Sequence, residues 1–164
     1  MKGDRGGFRP LRREQLLQGF GHDSYKSKAK LRDPTRCPDC GVVYRKGRWS
    51  WGDAPEGAHA QLCPACQRIH DRFPAGYVTL SGAYFLEHRD EILNLVKHCE
   101  EKEKAAHPVQ RIMAIEDSGE GAVVTTTDVH LARSIAESVH DSCKGSLAIQ
   151  YSKDENLLRA TWKR

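Results

Sequence analysis

Cys37-Pro38-Asp39-Cys40-Gly41 and Cys63-Pro64-Ala65-Cys66, separated by 22 residues between Cys40 and Cys63, are the stretches on which the reading of this chain turns. Two residues between cysteines let both thiolates point inward from one tight turn, and Gly41 can take the positive φ that brings backbone amides to the sulfurs. Two such turns supply four thiolates, the tetrahedral set that zinc prefers. An all-protein shell leaves no position for water or substrate, so Cys37, Cys40, Cys63 and Cys66 are expected to hold one structural Zn2+ rather than a catalytic one. A redox dithiol needs a thioredoxin-like βαβ setting, which is missing. An iron–sulfur cluster takes the same ligands at other usual spacings. His70, four residues beyond Cys66, is an alternative ligand, although a histidine on a short helix is the simpler reading. Cys99 and Cys143 fall on apolar helical faces and read as small hydrophobes.

Working outward, residues 34–77 carry short β-like runs. Val42-Val43-Tyr44 and Arg48-Trp49-Ser50-Trp51 flank Lys46-Gly47, a hairpin turn. Alternation puts Trp49 and Trp51 on one face, where they read as the small unit's own core. Residues 83–106 are helical, with Leu86, Ile92, Leu93, Val96 and Cys99 on one face and Pro108 beyond the end. From 109 to 164 the period changes to hairpin, helix, hairpin. Asp128 or Thr127 caps the helix, Leu131, Ala132, Ile135, Val139 and Cys143 form its apolar face, and Gly145 ends it. The fold class expected is α+β. It comprises a flexible basic arm (1–33), a zinc ribbon built on two Cys-x-x-Cys knuckles (34–77), a linking helix (78–108) and a two-layer ββαββ module (109–164).

Composition sets the same frame. The 164 residues are 38% hydrophobic and 29% charged, polar enough to favour two small modules, one of them stapled, over one large core. The net charge of +4 is uneven: residues 1–36 hold ten Lys/Arg and four Asp/Glu, net +6, and the remainder nets −2. Such asymmetry marks a segment that meets an anion. No apolar run follows Met1 and none is long enough to span a bilayer, which predicts a cytoplasmic protein with reduced thiols and no membrane partner.

Cations interleaved with aromatics suit RNA, since cations take phosphates and rings stack on bases. The candidate RNA-binding residues are Arg9, Arg12, Arg13, Lys26, Lys28, Lys30 and Arg36, with Lys46 and Arg48 from the hairpin. No phosphate-binding Gly-rich loop, Gly-x-Ser-x-Gly or His-Glu-x-x-His is present. Asp128 and His130 are better explained by a helix cap than by a triad. No catalytic residue and no small-molecule substrate is expected. The oligomeric state is left open.

Residues 34–66, the run Val124-Thr125-Thr126-Thr127-Asp128-Val129-His130-Leu131-Ala132-Arg133-Ser134-Ile135, Lys144-Gly145 and Leu158 to Arg164 together resemble a small family of bacterial zinc-ribbon proteins. They are also similar to the N-terminal part of the archaeal and eukaryotic adaptor that accompanies the large ribosomal subunit during export and maturation. That adaptor has more cysteine pairs and further domains, so its export role is not implied. The resemblance implies association with ribosomal RNA or the ribosome in a bacterial cytoplasm. The expectation is a non-enzymatic, RNA-binding, ribosome-associated accessory factor acting in maturation, stress or hibernation. The alternative is a zinc-stabilised protein-interaction or regulatory module with an acidic protein partner.

Overall fold

The computed structural model describes residues 9–10, 25 and 30–164. In chain order the strands are β1 (Arg9–Pro10), β2 (Thr35–Arg36), β3 (Val43–Arg45), β4 (Arg48–Ser50), β5 (His59–Ala60), β6 (Gly76–Ser81), β7 (Ile112–Ser118), β8 (Gly121–Thr126), β9 (Ser146–Ser152) and β10 (Leu157–Lys163). The helices are α1 (Pro64–Asp71), α2 (Ala83–Glu87), α3 (Arg89–Ala106) and α4 (Val129–Cys143). They build an α+β structure with one six-stranded sheet, ordered β1-β9-β10-β6-β8-β7, and one four-stranded sheet, ordered β4-β3-β2-β5.

Local chemistry explains most of these elements. Lys46 and Gly47 both take positive φ, at 50° and 79°, the geometry that a tight turn between β3 and β4 requires. The Asp128 carboxylate accepts from the amides of His130 (2.7 Å) and Leu131 (3.2 Å) and starts α4. Asp128 is therefore the cap. Thr127 serves elsewhere, its hydroxyl donating to the Val109 carbonyl at 2.7 Å. Helix α4 ends at Cys143, and Gly145 follows with φ 90°. Leu131, Ala132, Ile135 and Val139 on α4 are fully buried against the sheet, together with Val78, Leu80, Val124, Leu158 and Trp162.

Residues 109–164 run β7, β8, α4, β9, β10 as the patterning predicts, yet they do not close a sheet among themselves. Strand β6, which straddles the boundary drawn between the ribbon (34–77) and the linking helix (78–108), lies between the two hairpins. It pairs parallel with β10, Gly76 facing Leu158 and Ser81 facing Lys163. It pairs antiparallel with β8, Gly76 facing Thr126 and Ser81 facing Gly121. Its alternation is clear, with Gly76, Val78 and Leu80 buried. Its place in the centre depends on a partner strand far along the chain, which leaves no local mark. Gly76 permits the close approach of α4, since a Cβ there would stand 2.4 Å from that of Ala132.

The helical stretch divides at His88, between α2 and α3. The break turns Leu86 outward, 56% exposed, and buries Phe85 in its stead. Ile92, Leu93, Val96 and Cys99 are buried as expected.

Most of the basic segment 1–33, with Arg12, Arg13, Lys26 and Lys28, lies outside the described residues. Besides residues 30–33, which border the small sheet, two described points within it are tied to the rest. Strand β1 adds antiparallel to β9, Arg9 opposite Tyr151, using the backbone groups that an edge strand leaves open. Tyr25 stacks near Phe73, ring centroids 6.1 Å apart, and donates to Asp71 at 2.9 Å.

Candidate metal centre and basic surface

The first cysteine pair stands on the turn after β2. The Cys37 amide donates to the Val42 carbonyl and the Gly41 amide to the Cys37 carbonyl, both at 2.9 Å. Gly41 takes φ 80°. The second pair opens α1. Cys63 is its N-cap, its sulfur accepting from the Cys66 amide at 3.4 Å, and Pro64 occupies the first turn, where a missing N–H costs nothing. Each pair is thus preset by its own backbone, and the small sheet joins the two.

All four Sγ atoms lie within 4.8 Å of one another. Cys40 and Cys63 are 3.8 Å apart, which matches the edge of about 3.8 Å for a tetrahedron with metal–sulfur bonds of about 2.3 Å. The donor set, four thiols with three of them buried, fits a single ion of zinc type. His70 is not part of it. Its Nε2 is paired with the Asp39 carboxylate at 2.6 Å, in the open.

The electrostatics show what such an ion would balance. Burial pushes the Cys66 thiol up to about 11, opposed by the hydrogen bond from Arg111. Burial also raises Cys63, against the Cys66 amide. Burial acts to raise Cys37 too, but hydrogen bonds involving the backbone of Cys63, Cys40 and Asp39 outweigh it and bring the thiol to about 7. A dication at the centre removes the penalty on the buried thiolates.

Arg111 escaped the sequence reading. It is only 8% exposed. Its Nη1 donates to Cys66 Sγ at 3.3 Å, and its Nη2 to Cys40 Sγ at 3.0 Å and Cys63 Sγ at 3.6 Å. Its Nε donates to the Pro108 carbonyl at 2.8 Å. Its amide donates to Thr127 Oγ1 at 2.9 Å, and its carbonyl accepts from the Thr127 amide at 2.9 Å. Burial alone would lower its pKa, but the thiols of Cys40 and Cys66 raise it, and the side chain stays cationic. The available signal was a cation between Pro108 and the apolar start of β7. Its partner was not readable from sequence.

The two tryptophans part company. Trp49 is half-buried against the cysteine cluster, edge-on to Tyr44 at 5.3 Å. Trp51 is 42% exposed, and its indole N–H donates to the Lys104 carbonyl of α3 at 2.9 Å. It serves as a clasp between the two parts and not as core. Cys99 is buried, while Cys143 is half-buried at the end of α4.

The described candidate cations divide between the two sheets. Lys30, Arg36 (β2), Lys46 (the β3–β4 turn) and Arg48 (β4) are all exposed and gather on the small one with Arg32 and Arg45. Arg9 lies in the large sheet. Residues 30–61 contain six cations and four acids. Among the described residues none of the six is paired with a carboxylate. Two of the acids are otherwise engaged, Asp33 by the Lys46 amide at 2.7 Å and Asp39 by His70.

No family model matches this chain, and neither a curated protein nor a solved structure is found similar to it. No helix among the described residues is long and apolar enough to cross a membrane.

Proposed function

We infer that this chain is a non-enzymatic accessory protein in which one structural zinc holds a ribbon-like unit in shape so that its surface can bind RNA, with the ribosome as the principal site of action. Bound zinc would cross-link the two knuckles through Cys37, Cys40, Cys63 and Cys66, and Arg111 would offset part of the charge of the four thiolates. The closed ligand shell supports a structural role, because it leaves no place for a reacting group.

The observation that carries the RNA reading is the set of six exposed cations, Lys30, Arg32, Arg36, Arg45, Lys46 and Arg48, without a carboxylate partner among the described residues. A surface that keeps its cations unpaired is suited to phosphates. The ribosome as target and a bacterial cytoplasm as location follow from the resemblance of residues 34–66, the Val124–Ile135 run, Lys144-Gly145 and Leu158 to Arg164 to bacterial zinc-ribbon proteins and to the N-terminal part of the large-subunit adaptor.

Sedimentation tests the reading. The full chain should travel with ribosomal particles at about 50 mM salt and leave them as salt rises, because each phosphate contact contributes about −0.9 to the slope of log affinity against log salt. A chain that stays at the top of the gradient at low salt, or that sediments only with an acidic protein, removes the RNA role.

A further inference from the structure

Strand β5 is the last strand of the small sheet, and beside it opens a cleft of about 420 Å³ lined chiefly by Lys30, Arg32, Thr35, His59, Ala60 and Gln61. The His59 amide donates to the Pro34 carbonyl at 3.0 Å and the Gln61 amide to the Arg36 carbonyl at 3.1 Å. Alternation along a strand therefore turns the Ala60 N–H to the outer edge. Arg32 crosses to His59, its Nη1 lying 3.0 Å from Nε2. The same atom lies 3.5 Å from the other ring nitrogen, Nδ1, so the guanidinium rests against the imidazole. The Thr35 hydroxyl is taken by the Arg32 carbonyl at 2.5 Å, which fixes the backbone from which the guanidinium projects. Among the described residues no carboxylate lines the cleft.

We propose that this cleft binds a phosphate group, which in the RNA reading above is a backbone phosphodiester passing along the edge of β5. Only the source of the phosphate rests on that reading. A guanidinium fork matches two oxygens of a phosphate, an ammonium adds a point charge, and an outward edge amide supplies a third kind of donor. Arg32, Lys30 and Ala60 N–H offer these three at one place. A volume in the range of about 300–1,000 Å³ typical of small-molecule sites admits the phosphate together with an adjoining sugar.

The test uses the full zinc-loaded chain and two probes. Inorganic phosphate, titrated at constant ionic strength with chloride as control, should shift the Ala60 amide resonance saturably in the native protein and not in Arg32→Gln. A fluorescent short single-stranded RNA should bind Arg32→Gln and Lys30→Gln about tenfold more weakly, with a salt slope shallower by about one unit for each. Lys153→Gln, in the distant β9–β10 turn, should leave both readings unchanged. The dispersion of the amide spectrum shows that each variant is folded. Native-like RNA binding by both cleft variants, with no phosphate-induced shift at Ala60, overturns the site and leaves the RNA role standing. A saturable Ala60 shift abolished by Arg32→Gln, in a chain that binds no RNA, upholds the phosphate site, assigns it to a free phosphorylated ligand and removes the RNA role.

Discussion

The guanidinium of Arg111 stands 3.0 Å from the sulfur of Cys40, across 71 positions of sequence, and touches the Cys63 and Cys66 sulfurs as well. A residue at the entrance to the large sheet thereby completes the surroundings of the four-cysteine cluster formed by the turn after β2 and the start of α1. Four thiolates around a divalent ion carry a net charge of −2, and a buried arginine halves it.

Arg111→Ala removes that balance and leaves buried thiolates with fewer donors. Outer partners of metal ligands typically contribute a factor of about 10–100 in affinity, so zinc should be lost to a chromophoric chelator at a correspondingly lower chelator concentration. Arg111→Lys keeps the charge but has no fork to span Cys40 and Cys66, and should fall between the two. Equal zinc retention in all three proteins would show that the guanidinium contributes packing alone.

Cys37→Ser should reduce the zinc content from one per chain to none. Cys37 is fully buried in a cluster that, among the described residues, has five buried apolar side chains, the others being Val42, Cys63, Ala65 and Cys66. So small a core does not stand alone, and in such units metal-binding energy is folding energy. Trp49 packs against this cluster, so its fluorescence should move to that of a solvated indole. Metal analysis that finds iron in the native protein would overturn the assignment of the ion.

A fragment of residues 109–164 should fail to fold, whereas 74–164 should fold. The shorter piece lacks β6, and with it the strand that pairs with both β8 and β10. It also lacks α3, which lies against α4. Amide dispersion in the two fragments is the measurement. A folded 109–164 would mean that β8 and β10 can pair directly.

Gly121→Ala should destabilise the large sheet by about 3 kcal/mol, the upper end for overpacking. An added Cβ would lie 1.8 Å from the Leu80 carbonyl oxygen, which is backbone in the central strand and cannot swing aside. Gly119→Ala, two residues earlier in the same β7–β8 turn with open space around its Cβ position, serves as control. Urea midpoints compare the two, and an unchanged midpoint for Gly121→Ala would show that β7 and β8 yield freely at their turn.

Much of this protein is written in local sequence. Two Cys-x-x-Cys turns, a Lys-Gly hairpin, an Asp cap followed by a helical apolar face, and two alternating hairpins each state their structure within a few residues, because turn geometry, capping and amphipathic period act over that range. The four cysteines that cluster, Cys37, Cys40, Cys63 and Cys66, stood out in the sequence for the same reason. Three features had to wait for tertiary structure. Strand β6 alternates plainly, but its central place shows only beside β8 and β10, and its parallel partner, Leu157–Lys163, lies far along the chain. Arg111 looks like any cation at a strand entrance until the fold sets it among sulfurs. Arg32 and His59 become a cleft only when residues 30–32 and β5 lie side by side. Periodicity reports which face of an element seeks burial; it carries no record of which distant surface will cover that face, and here that choice placed both the centre of the sheet and the cation beside the cysteine cluster.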